Sequence, residues 1–163
     1  MSIPSKRVLN LAGFVYCAGL MSYALYAQHQ LMLEPCPLCV LQRVAVIALG
    51  LAFVVAALHN AAGFGRYVYS VLIGLFGAYG IGVAGRHLYL QSLPADEVPS
   101  CSGMNLETMM EYYPMLEVLT KVFQGSGECA EIDWQFLGLS MPGWVLINVL
   151  GLTVVGIWNN LRR

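Results

Sequence analysis

Residues 38–58 read LCVLQRVAVIALGLAFVVAAL, and this stretch decides the fold class. An apolar helix needs about 20 residues to cross the hydrocarbon core of a bilayer. The stretch is long enough, and its polar residues, Gln42 and Arg43, stand together one turn from its start. Residues 8–27, 67–85 and 142–158 are similarly apolar and carry no charge. The last follows Ser140, a candidate N-cap, and holds Pro142, which suits a first helical turn. It is short enough for a core helix of a soluble protein, a reading that three longer companions disfavour. Lys6 and Arg7 precede residues 8–27 as they would a signal peptide. Signal-peptide apolar cores run about 7–15 residues, however, and Leu25-Tyr26-Ala27 is a poor cleavage site. An uncleaved helix is the better reading.

Composition agrees. The 163 residues are 58% hydrophobic and 10% charged, with a mean hydropathy of +0.67. Soluble domains carry roughly 25% charge, so this chain has too little to cover a water-facing surface. A net charge of −1 argues against a nucleic-acid binder. The expected architecture is an all-α membrane protein: one domain over 1–163, a four-transmembrane-helix bundle with a long external loop.

Basic residues set the orientation, because Lys and Arg are retained on the cytoplasmic side. Lys6, Arg7, Arg66, Arg162 and Arg163 fall in the two termini and the 59–66 loop, with no acid among them. Arg43, Arg86, Lys121 and all nine acids fall on the other side. Both termini are therefore expected in the cytoplasm, with segments 28–37 and 86–141 outside. In the longer segment Leu106, Met109, Met110 and Tyr113 recur at helical spacing. Beyond Pro114, Leu116, Leu119 and Phe123 share one side, before a flexible Gly125-Ser126-Gly127 turn. Such short amphipathic helices lie along a membrane surface or pack on the bundle. Gly74, Ala78 and Gly82, four apart, form a small-residue face suited to close helix contact.

Four of the five cysteines fall on the external side, which in a bacterium is the oxidising periplasm. Cys36-Pro37-Leu38-Cys39 opens the second span, Cys101 and Cys129 lie in the long loop, and Cys17 is alone in the first span. This pattern reads as disulfide chemistry, although a Cys101–Cys129 bond would also serve as a simple staple. Zinc is the other option, with Cys36, Cys39 and His29 completed by Cys101, Cys129 or His87, since a closed site needs four N or S ligands. Cys17 reads as a small buried apolar residue. Cys39 stands in a first helical turn, where unpaired N–H groups and the helix dipole favour a thiolate. Arg43 is four residues on, on the same face. An arginine inside a span is costly and marks a functional site by default; the alternative is a stem that snorkels to water.

The stretch Cys36-Pro37-Leu38-Cys39-Val40-Leu41-Gln42-Arg43 resembles the active-site segment of the DsbB family, bacterial inner-membrane thiol oxidases linked to quinone. The likeness continues through His87-Leu88-Tyr89-Leu90-Gln91, Cys101, Gly127-Glu128-Cys129-Ala130-Glu131, Trp134 and the run from Phe136 to Trp144. The resemblance implies reoxidation of the periplasmic thioredoxin-fold oxidase DsbA, with two electrons passed to ubiquinone or menaquinone. It makes Cys101 and Cys129 the pair that meets DsbA. Cys36 and Cys39 become the pair beside the quinone, with Cys39 nearest its ring. Arg43 and His87 become quinone-site residues, and no metal is implied. One departure is Gln42, where the family's best-known member carries an acid. The loop between Cys101 and Cys129 also matches poorly, which bears on partner preference. A quinone has an amphipathic head and an isoprenoid tail, so its partner thiol should sit at the membrane boundary, as Cys39 does. A water-soluble donor needs an acceptor disulfide that protrudes, which the Cys101–Cys129 loop provides. A vitamin K epoxide reductase-like enzyme would carry its Cys-x-x-Cys late in the chain, and here it opens the second helix.

Overall fold

The Ser5 side chain accepts a hydrogen bond from the Val8 N–H and opens α1, Lys6–Gln30. A sulfur performs the same service for α2, Pro37–His59: Cys36 is the N-cap, and its Sγ accepts from the Cys39 N–H at 3.3 Å. Pro37 fills the first helical position, where a missing N–H costs nothing. The helix ends at Asn60, whose left-handed backbone (φ 43°, ψ 45°) is one that asparagine tolerates. α3 follows as Gly65–Gln91, α4 as Met115–Gln124, then a 3₁₀ turn at Gly127–Cys129. A two-stranded hairpin, β1 Gln135–Phe136 and β2 Leu139–Ser140, leads directly into α5, Met141–Leu161. Leu137 and Gly138 both have positive φ, the turn geometry that matches the twist of paired strands. This computed structural model describes residues 4–60, 63–94, 97, 110–124 and 127–162.

α1, α2, α3 and α5 are each long and apolar enough to cross a membrane. The chain is a multi-pass, all-α membrane protein. α2 packs between α1 and α3, and α3 packs along α5. Side chains such as Leu51, Val71, Leu75 and Val154 stay exposed on the outer faces, as lipid-facing residues do. The helices run longer than the apolar stretches alone suggest. α3 continues past Gly85 to Gln91, so Arg86 and His87 stand on its last turns instead of in a loop.

Lipid tails are as apolar as leucine, so close packing holds a membrane bundle together. The central layer is Cys17, Val46, Leu49, Phe53, Ile73 and Val149. Cys17 is thus a buried core residue, its Cβ against Gly50. The glycines that permit the closest approaches are Gly77, Gly156 and Gly13, with Gly50 and Gly80 just behind. A Cβ on Gly77 would lie 2.0 Å from Thr153 Oγ1, and one on Gly156 would lie 2.7 Å from the Phe53 ring. The expected small-residue face was the wrong one. Ala78 and Gly82 are exposed, and a Cβ on Gly82 would meet nothing within 4 Å.

The segment between α3 and α5 packs on the bundle through its own small core. Val118 and Val122 of α4 are buried with Leu38, Val83, Leu90 and Cys129. Each such valine contributes about 2 kcal/mol where water is the alternative. The side of α4 that packs on the bundle is therefore Val118 and Val122, while Leu116 and Phe123, on the side read from the sequence, are exposed. Arg86 Nε donates to the Phe123 carbonyl near the end of α4, tying that helix to α3. The expected helix over Leu106 and Met109 lies outside the described residues, as do Gly125 and Ser126; Met110 is helical and exposed.

Ser140 is the N-cap of α5 by backbone position, but its side chain does not cap. Its hydroxyl donates instead to Gln91 Oε1 at 2.7 Å, fastening the start of α5 to the end of α3. Trp144 Nε1 donates to the Phe136 carbonyl, and the rings of Tyr23, Trp134, Phe136 and Trp144 follow one another at about 6 Å. The hairpin is held by these contacts over the end of the bundle where α2 begins.

Candidate active site

The first two turns of α2, with its N-cap, deliver Cys36, Cys39, Gln42 and Arg43 to one region. These four, with His87 from α3, line a cavity of about 500 Å³ roofed by the aromatic hairpin. The cavity is mostly apolar and is walled by α1 and α5 as well. Apolar concavity with a few convergent polar groups is the usual form of a small-molecule site.

Cys36 Sγ lies 2.9 Å from Cys39 Sγ and 3.8 Å from His87 Nε2. The three side chains offer ligand-type atoms within 4.8 Å of one another, the one such group of three among the described residues. His29, a candidate zinc ligand in the sequence, is exposed and outside this group. The Cys36 thiol is pushed well above the usual thiol range, first by hydrogen bonding to Cys129, then by hydrogen bonding to Cys39 and by burial.

Cys129 was expected on a protruding loop. It is wholly buried, at 0% exposure, in the layer beneath α4 and against Cys36. The 3₁₀ turn carries it inward because Leu38, Leu90 and Val122 offer an apolar seat that water does not. Cys101 lies outside the described residues.

Arg43 does not lift its head to water. Its guanidinium donates to Gln28 Oε1 at 2.5 Å and to the Ala24 carbonyl at 3.2 Å, both on α1, while it lines the cavity. These bonds satisfy an expensive charge within the protein and fix its position beside Cys39's turn. His87 is 2% exposed, and its Nδ1 faces Gln42 Nε2 at 2.9 Å. The sequence reading noticed Gln42 only as a departure and missed Gln28 altogether. Both had one available signal, a polar side chain in or beside an apolar span.

Sequence comparison tests what this arrangement belongs to. A family model described as disulfide bond formation protein DsbB matches residues 6–159. A disulfide bond formation protein B of Nitrosococcus oceani is 51% identical, over 94% of this chain and 90% of its own length. Its namesake in Hahella chejuensis is 48% identical over 98% of this chain and 96% of its own length, and that of Saccharophagus degradans is 45% identical over 99% and 96%. Membership implies a disulfide-forming oxidoreductase, and the paired sulfurs at the mouth of an apolar cavity are the equipment for one. With the match running from the first helix to the last, the chain belongs to the DsbB family of membrane disulfide bond formation proteins.

Proposed function

We propose that the protein reoxidises a periplasmic DsbA-like thiol oxidase and passes the electrons to a membrane quinone, ubiquinone or menaquinone. Its place would be the bacterial inner membrane, with both termini cytoplasmic. The observation that carries this reading is the position of Cys36 and Cys39, which both line an apolar cavity, with Cys36 also against buried Cys129. Electrons would arrive through Cys129 and leave through the cavity.

Thiol–disulfide exchange proceeds by a thiolate attacking a disulfide sulfur. Reduced DsbA would attack Cys101 of a Cys101–Cys129 bond and free Cys129. Cys129 would then attack Cys36, forming a Cys36–Cys129 bond and breaking Cys36–Cys39, so that the electron pair leaves on Cys39. Their contact makes that transfer a short one. DsbA, at roughly −120 mV, is a strong oxidant, so the sequence needs a final acceptor to pull it forward. With a bound quinone as that acceptor of two electrons and two protons, Cys39 would re-form its bond to Cys36 and release Cys129, while the second thiol of DsbA would free Cys101 to close the Cys101–Cys129 bond again.

The cavity fits such a molecule: its walls are apolar, and the fixed Arg43 guanidinium is its cationic donor near the sulfurs. A cationic donor held in place is most effective where water is scarce. His87 is the second polar group beside the sulfurs, with a ring nitrogen at hydrogen-bonding range of the pair.

The test mixes purified protein with a reduced DsbA-like oxidase and a short-chain quinone. One quinone should be reduced for every two thiols lost. Stoichiometric zinc with no quinone consumption would instead indicate a metal-binding or structural subunit. Orientation is checked separately with a cysteine placed at exposed Thr120, which a membrane-impermeant maleimide should label in intact spheroplasts. Labelling only after inner-membrane lysis would reverse the topology.

A further inference from the structure

One buried polar side chain beside the sulfurs has no part in the exchange sequence. Gln42 is 4% exposed, stands between Cys39 and Arg43 in the second turn of α2, and spends its amide on His87 of α3. A neutral imidazole has one N–H donor and one lone-pair acceptor, and the group facing one nitrogen decides which is which. Gln42 turns its Nε2, a donor, toward Nδ1 at 2.9 Å. Nδ1 must then accept, and the ring proton resides on Nε2. That is the nitrogen that faces sulfur, 3.8 Å from Cys36 Sγ and within the same close group as Cys39 Sγ.

We propose that Gln42 is a positioning residue that holds His87 as its Nε2–H tautomer, making the imidazole a hydrogen-bond donor to the Cys36/Cys39 sulfurs instead of a base or a metal ligand. Two consequences follow from that one proton. When the Cys36–Cys39 bond is opened at Cys36, the electron pair leaves on Cys39 sulfur, and an N–H is already in place to donate to the new thiolate. No proton moves in that step.

The second consequence concerns metals. Two thiols and an imidazole this close are a ready soft-ligand set for a thiophilic divalent cation, which binds sulfur at about 2.3 Å and imidazole nitrogen at about 2.0–2.1 Å. Such a cation needs the Nε2 lone pair, and the Gln42 amide denies it. A carboxylate at position 42 would reverse the arrangement. It would accept from Nδ1–H, bare Nε2 toward the sulfurs, and complete the carboxylate–histidine pairing that orients histidine toward zinc. The reduced site therefore stays open to its electron acceptor in the presence of zinc.

The role of Cys36 and Cys39 as the working pair belongs to the function proposed above, but the tautomer is read in protein without quinone or partner. Failure of the quinone assay and failure of this inference are thus separate results. The experiment uses full-length protein in nanodiscs, ring-¹⁵N-labelled at histidine, with exposed His29 and His59 replaced by Gln so that one ring remains. Above the imidazole titration, the wild-type residue at 42 should give a protonated Nε2 and a bare Nδ1. Gln42→Glu should move the proton to Nδ1. A proton on Nδ1 with Gln42 present, or a spectrum that Gln42→Glu leaves unchanged, overturns the proposal. In a second arm the reduced proteins are titrated with Zn²⁺ against a chromophoric chelator. Gln42→Glu should bind at least about tenfold more tightly than the parent, the lower end of what an outer partner contributes to a metal site. Equal affinities would overturn the claim that the amide keeps zinc out.

Discussion

Two polar islands are buried in this apolar bundle, one at each end, and they are built on opposite principles. At the end where the chain starts and finishes, Asn10 of α1 meets Asn159 and Asn160 of α5. Asn10 Nδ2 donates to Asn160 Oδ1, and both α5 amides donate back to Asn10 Oδ1 at 3.1 Å. Asn159 also reaches the Lys6 carbonyl, and Asn160 the Gly156 carbonyl. At the other end Cys36, Cys39 and His87 share weak sulfur contacts and open onto a cavity. Amides are strong and untitratable, and although Asn159 Oδ1 is left without a partner among the described residues, the bonds through Asn10 lock the register of the first and last spans. Sulfur hydrogen-bonds weakly and exchanges partners, so the second island keeps its reactivity. Burial alone does not distinguish them. The chemistry of the groups and the open space beside them do.

The comparison breaks first at sulfur. Cys39→Ser removes the group that would face the acceptor, and quinone reduction should fall by about 10³-fold or more, with thermal stability in detergent almost unchanged. Cys129→Ser should accumulate a mixed disulfide between Cys101 and the DsbA-like partner, since the resolving thiol is gone. An adduct on Cys36, identified by peptide mass, would reverse the order of the two pairs.

Packing between the islands comes next. Gly77→Val puts side-chain atoms where Thr153 already stands. It should destabilise the bundle by about 3 kcal/mol, the upper part of the range for overpacking. Gly82→Ala, at an open position, should leave thermal unfolding unchanged. If the two behaved alike, the packing face would be misplaced.

Arg43→Met tests whether the guanidinium serves the cavity or only braces α1. It should raise the apparent KM for quinone about tenfold, equivalent to about 1.4 kcal/mol, and leave thiol exchange with the partner intact. Normal quinone kinetics would make Arg43 a brace through Gln28 and Ala24.

The smallest effect is expected at the amide island. Asn10→Leu strips Asn159 and Asn160 of a shared acceptor and should cost about 0.6 kcal/mol of stability, the average for polar contacts between membrane helices. The rate of quinone reduction should hold. A large loss of activity would show that the clamp transmits to the distant sulfurs.

Much of this molecule was legible in its order of residues. Four long apolar stretches specify four helices, because a backbone in lipid has to satisfy its own hydrogen bonds. The Cys36-Pro37-Leu38-Cys39 run could be located at a helix start, since Pro at the first position and a sulfur N-cap are local features. Arg43 could be singled out because charge in a span is rare.

What the order of residues left open were choices between faces. Gly74, Ala78 and Gly82 are spaced as well as Gly77 and Gly80, and Leu116 and Phe123 as well as Val118 and Val122. In water, polarity marks the outer face of a helix. In lipid both faces are apolar, so only the neighbouring helices decide that Gly77 meets Thr153 and Gly82 meets nothing. The same holds for the site. Sequence determined that the chain carries a Cys-x-x-Cys pair at the start of an apolar helix with an arginine one turn on. Tertiary structure alone decided that Cys129 lies buried against Cys36, that Gln28 holds Arg43, and that Gln42 faces His87. Those are contacts between residues far apart in the chain, and their partners become neighbours only when the helices pack.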